Sequence, residues 1–176
     1  MILLTDITYL FYNHGDKAYL SVIKDAYTKQ VMAYVVSESL AIDFVLKTVN
    51  MLIQNHGISL SEETILHSDQ GCHYTSISFR QLLKDRKLQQ SMSRRGNCWD
   101  NTPQESFFGH MKDEIHIERC SSISDLKLTI DDYMDYYNND RYQWGLAKLS
   151  PNQYASYLKT SEYPIKILKN TLISQL

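Results

Sequence analysis

Ile2-Leu3-Leu4-Thr5-Asp6-Ile7-Thr8-Tyr9-Leu10-Phe11 is composed of residues that favour a pleated strand, with one acid, Asp6, at its centre. Every neighbour belongs in a sheet and the acid does not. A carboxylate in that position needs a partner, because charged groups are seldom buried unpaired. Two further runs, Ala18 to Asp25 and Gln30 to Val36, share the composition, and Asn13-His14-Gly15-Asp16 and Thr28-Lys29 separate the three as turns. This spacing predicts an antiparallel meander.

After the meander, Ser39 opens a predicted helix in which Ala41, Val45, Val49 and Leu52 keep a helical period until Gly57 stops it. A fourth strand, Thr64 to His67, leads into the turn Ser68-Asp69-Gln70-Gly71. A short helix bearing Phe79, Leu82, Leu83 and Arg86 follows, and Leu88 to Met92 reads as a fifth strand. Ser93 to Asn97 is loop by composition. Thr102-Pro103 opens another helix, with Pro where its missing N–H costs nothing. Ser121 or Ser122 caps a last long helix with Ile123, Leu126, Ile130, Tyr133, Met134 and Tyr137 on one stripe. The order predicts an α/β fold of ribonuclease H-like arrangement, a five-stranded mixed sheet flanked by helices. One domain over residues 1–157 is expected, with 158–176 as a C-terminal tail and the chain after Pro151 detachable.

The 176 residues, 43% of them apolar, suffice for one core. A net charge of -2 argues against a polyanion partner, but its distribution argues for one. Arg80, Lys84, Arg86, Lys87, Arg94 and Arg95 stand close together against the single acid Asp85. By itself such a run also describes a solvated helix face. The three cysteines lack disulfide or zinc spacing, and the longest apolar run, Val31 to Val36, is too short to span a bilayer. No basic leader follows Met1, so a cytoplasmic protein without membrane partners is expected.

Two more acids have the spacing to join Asp6. Asp69 falls just past a predicted strand, where open α/β sheets place their ligands, although an Asp there can also stabilise its own turn. Glu105 lies in Thr102-Pro103-Gln104-Glu105, which equally spells a capping box. Each acid alone has a structural reading. The combination of strand-centre Asp, strand-end Asp and helix Glu, with 35 residues between the last two, is hard to explain structurally. Three carboxylates a few Å apart cannot all ionise without cations among them. Hard oxygen ligands select magnesium or manganese, and two such ions about 4 Å apart can activate one oxygen and stabilise another at a phosphorus. Lys112 is seven residues beyond Glu105 and returns to within about 20° of it around a helix. It is placed either to touch a phosphate or to pair with Glu105 or Glu114.

Several ordered segments carry a family resemblance: Asp6-Ile7-Thr8, His67-Ser68-Asp69-Gln70-Gly71, Ser91-Met92-Ser93-Arg94-Arg95-Gly96-Asn97-Cys98-Trp99-Asp100-Asn101, and Glu105-Ser106-Phe107-Phe108 with Lys112. Tyr137-Asn138-Asn139 with Arg141, and Leu149-Ser150-Pro151, complete the pattern. Together they resemble the OrfB-type transposases of bacterial insertion sequences (insertion-sequence family three), which are related to retroviral integrases and named for their D,D-35-E acids. The resemblance implies a DDE-type polynucleotidyl transferase that nicks DNA at the end of its element and joins the 3′-hydroxyl to another DNA phosphate. It implies that Asp6, Asp69 and Glu105 are catalytic and hold two Mg2+ or Mn2+ ions. Lys112 would contact DNA, with Arg94, Arg95 and Asn97 on a loop near the site. The implied partners are the element ends, target DNA and further copies of the chain, in a bacterial cytoplasm at the nucleoid.

Two departures qualify the match. Leu3 stands where relatives usually have Trp, and the upstream helix-turn-helix region that reads element ends is expected to be absent. Two alternatives therefore stay open. One is a ribonuclease H-like nuclease without strand transfer, and the other is a truncated, inactive remnant that only binds DNA or a full-length transposase.

Overall fold

Turns too short to cross a sheet force the first three strands to pair antiparallel, and helical crossovers make the remaining pairings parallel. The computed structural model describes residues 1–93 and 102–164. Its sheet contains β1 (Ile2–Tyr12), β2 (Asp16–Asp25), β3 (Val31–Ser37), β4 (Ile65–Ser68) and β5 (Gln89–Met92), in the order β3-β2-β1-β4-β5. β1 pairs antiparallel with β2 and parallel with β4. All five predicted strands are present, with ends shifted by one or two residues.

Side-chain alternation divides the core in two. Leu3, Ile23 and Leu66 face α1 (Ile42–His56) and, after the short α2 (Cys72–Thr75), α3 (Ile77–Asp85), where Phe44, Val49, Phe79 and Leu83 complete one layer. Leu10, Leu20 and Val22 face the other way. They meet α4 (Thr102–Glu114) and α5 (Ile123–Asn139) through Phe107, Phe108, Met111, Leu126 and Ile130. Ser122 caps α5 by accepting from the Asp125 amide, as one of the two candidate serines was expected to do.

Two expectations need correction. Ser39 does not cap α1, which starts at Ile42 behind an uncapped Ala41. The Ser39 hydroxyl accepts instead from the Ala41 amide within a local serine turn shared with Ser37. The chain after Pro151 is not detachable over its first ten residues, which form α6 (Pro151–Thr160) behind a Ser150/Gln153 capping box. Asn152 ties this helix to Asn139 and Gln30, each at 2.7 Å.

Asn138, near the end of α5, closes the edge of β3 by accepting from the Val31 amide and donating to the Val31 carbonyl, both at 2.9 Å. Asn138→Ala leaves both backbone groups unpaired at a buried residue and should cost about 2–3 kcal/mol in urea unfolding. A loss under about 0.5 kcal/mol would show that this clamp is dispensable.

Candidate active site

The parallel register of β1 and β4 aligns Ile2 with Ile65, Leu3 with Leu66 and Leu4 with His67. Two residues beyond the last of these pairs the chain reaches Asp6 within β1 and Asp69 just past the end of β4. Asp6 is half-buried and its Oδ1 accepts from the Ile7 amide at 2.8 Å. Asp69 is exposed, and its Oδ1 accepts from the Gly71 amide at 2.8 Å, so the turn-stabilising role open to it is taken up by one of its oxygens. A Cβ at Gly71 would lie 2.9 Å from Asp69 Oδ1, so a larger residue there would push that carboxylate aside. The hydroxyl of buried Tyr74, 3.5 Å from Thr5 Oγ1, is held well above its ordinary pKa. Burial is the main cause, the Thr5 contact opposes it, and the charges of Asp6 and Asp69 both add to it. Both carboxylates therefore act on one hydroxyl.

α4 lies along the face of β1 that carries Leu4, Asp6 and Thr8. Buried Gln104 donates to the Leu4 carbonyl at 3.1 Å and the Val22 carbonyl at 3.4 Å, and Lys112 Nζ donates to Thr8 Oγ1 at 2.7 Å. Eight helical residues rise about 12 Å and four strand residues about 13 Å, so the two contacts hold helix and strand in step. Glu105 is exposed in the first turn of α4. Among the described residues, no three or more His, Cys, Asp or Glu side chains form a group able to hold a metal. The fold thus puts Asp6 and Asp69 two residues beyond the last paired residues of adjacent strands and Glu105 on the helix bonded to β1, and among the described residues the three carboxylates are not gathered into one cluster. In donor chemistry and register the aspartates fit a hard cation, whereas Glu105 stands on a suitable element without closing the set.

Other candidate residues separate by what they touch. Among the described residues His67 bonds no backbone carbonyl; its ring nitrogens contact the hydroxyls of Ser91 at 3.1 Å and Ser93 at 3.0 Å, linking β4 to β5 just before residue 94. Lys112 makes no ion pair with Glu105 or Glu114 among the described residues, since Glu114 accepts two bonds from Arg141 Nε and one from Nη2. Desolvation lowers the Lys112 pKa. Within the basic run, Lys87 pairs with Glu62 at 2.6 Å on the surface. Phe107 and Phe108 are core residues, as expected. Arg94, Arg95 and Asn97 lie outside the described residues.

The chain is similar to known proteins in both sequence and fold. Models described as integrase core domain match residues 2–98 and 105–157. An uncharacterised transposase-like protein of Haemophilus influenzae is 39% identical over 85% of this chain and 68% of its own length. The InsF transposase of insertion sequence IS3A from Escherichia coli is 32% identical over 85% of this chain and 51% of its own length. The chain thus spans about half to two thirds of the length of these relatives. Among solved structures, the Mos1 transposase catalytic domain aligns with a TM-score of 0.67 at 17% identity, over 88% of this chain and 82% of that one. The HTLV-2 integrase catalytic core, a structure in complex with magnesium, aligns at 0.63 and 14% identity, over 87% of this chain and 94% of that one. These likenesses show the fold to be that of integrase and transposase catalytic cores, which is ribonuclease H-like.

Sequence reasoning missed Lys24. It sits in β2 with 2% of its surface exposed, donates to the Pro103 carbonyl at 3.1 Å and lies 4.6 Å from the Phe107 ring centroid. Burial, then repulsion from Lys29 and Arg141, lowers its pKa from 10.5 to about 7. Between those values the unfolded chain holds a proton that the folded chain has shed, so this group makes stability rise with pH across that window. From about pH 7 to 9 the urea midpoint should climb in the native chain and stay nearly flat in Lys24→Met, which keeps the apolar stem. Parallel slopes in the two proteins would contradict this assignment.

Proposed function

We propose, because this chain belongs to the integrase core family, that it carries out metal-dependent DNA nicking and strand transfer during transposition of an insertion sequence. The observation that supports the reading is the parallel β1–β4 pairing, which runs toward Asp6 and Asp69, with α4, the helix that carries Glu105, bonded to β1 through Gln104 and Lys112. Asp6, Asp69 and Glu105 would hold two Mg2+ or Mn2+ ions. When bound, such ions supply activation of an attacking oxygen and stabilisation of a departing one.

The chain's own groups do the remaining work. Gln104 fixes the start of α4 against β1 and β2, and Glu105 is the next residue along that helix. Lys112, steadied by Thr8, presents an ammonium to a phosphate next to the reacting one. Gly71 leaves room for the Asp69 carboxylate at the mouth of the site. Arg94, Arg95 and Asn97 are proposed DNA contacts within the Ser91 to Asn101 motif. The proposed partners are element ends, target DNA and further copies of the chain. Among solved complexes of the same fold, a Mos1 strand transfer complex (TM-score 0.66, 16% identity) supports that reading. Among the described residues no helix is long and apolar enough to cross a membrane, and a bacterial cytoplasmic location at the nucleoid is proposed. We assign α6 to the catalytic core as well, which moves its end from 157 to Thr160.

The test incubates the full chain with a labelled oligonucleotide bearing a free 3′-hydroxyl, a plasmid target and magnesium or manganese. Joined product is expected, lost with a chelator and reduced roughly a hundredfold or more in a folded Asp69→Asn variant. Cleavage without joining would assign a nuclease. A folded chain that shows no metal-dependent reaction would leave only a binding role.

A further inference from the structure

Across α4 from Glu105 lies a cleft of about 370 Å³, bounded by the first half of that helix, the β2–β3 turn and the segment after α5. Its lining includes Lys24, Lys29, His110 and Arg141, and among the described residues it includes no carboxylate. Lys24, at its buried side, has one carbonyl and two aromatic rings for company and no acidic partner among the described residues. Arg141 is held in place by Glu114, at 2.6 Å. Arg141 therefore contributes a fixed direction more than net charge.

Two observations indicate what would occupy the cleft. Gln143, in its wall, lies beside the Tyr137 hydroxyl and favours the ionised form of that group, while among the described residues its buried Nε2 has no well-formed hydrogen bond. A buried donor so poorly used is costly unless a ligand accepts from it. At the rim, Trp144 is 84% exposed and Lys148 Nζ lies 4.8 Å from its ring centroid, so an indole face is presented to solvent beside a cation. Cations and a spare donor in a cup, with an exposed aromatic at its edge, are the two parts of a single-strand nucleic-acid site.

We propose that this cleft binds a DNA strand, with a backbone phosphate against Lys29, Arg141 and the Gln143 amide and an unstacked base on Trp144. The inference rests on the reading of the chain as a DNA-processing enzyme, and it adds a second contact about one helix breadth, 10–12 Å, from Glu105. Charge supports the ligand as well. Lys29 and Arg141 both help to discharge Lys24, and an anion between them would offset that repulsion.

The experiment measures anisotropy of a labelled single-stranded oligodeoxynucleotide with the full chain in chelator, so that metal plays no part. Trp144→Ala should weaken binding by about five- to a hundredfold, and Trp144→Phe should restore most of it. Lys29→Asn, chosen because Lys29 has a φ of 64° that Asn tolerates, should lower the slope of log affinity against log salt by about one. No binding by the native chain, or unchanged affinity and salt slope in the variants, would overturn the site. So would a mononucleotide or inorganic phosphate that competes as well as the oligonucleotide. Strand joining together with unaffected variants would remove this cleft alone and leave the catalytic reading. Cleft-dependent binding without joining would do the reverse.

Discussion

The parallel pairing of β1 with β4 is the constraint on which the rest depends. Side chains alternate along a strand, so a slip of one residue would move Asp69 out of line with Asp6 and turn Leu66 away from the layer it fills with Leu3 and Ile23. Packing and candidate chemistry are thus set by the same register. The apolar residues flanking Asp6 hold the strand, and the acid occupies a place where only a ligand or a specific partner justifies it.

Docking of α4 is the second fixed relation. Phe107, Phe108 and Met111 bury one side of the helix, while Gln104 and Lys112 bond β1 at points about two turns apart. Lys24 adds a third tie, at the cost of burying an ammonium that its neighbours help to discharge. One helix therefore carries Glu105 and Lys112 along one stripe and walls the basic cleft with another. Opposite stripes of a single element can contact two parts of one strand of DNA.

Much of this was legible in the sequence because the signals were local. Strand composition broken by Asn13-His14-Gly15 and Thr28-Lys29 located the meander, and helical periodicity located α1 and α5. Asp69 and Glu105 stood out by their place after a strand and at the start of a helix. What escaped was decided by tertiary contacts. Ser150-Pro151-Asn152-Gln153 spells the capping box of α6, but only Gln30 and Asn139, distant in sequence, show that the helix is docked. Lys24 reads as an exposed strand lysine until α4 covers it, and the partners of His67 lie on β5. Spacing also does not encode the direction of the Glu105 side chain, which is a matter of torsion angles.

Crystals of the full chain grown with manganese, located by anomalous scattering, should show the ion between the Asp6 and Asp69 carboxylates with Glu105 turned in to complete its ligands, and should lose that signal in Asp6→Asn. Manganese bound elsewhere on a folded chain, or none there at saturating concentration, would contradict a shared site.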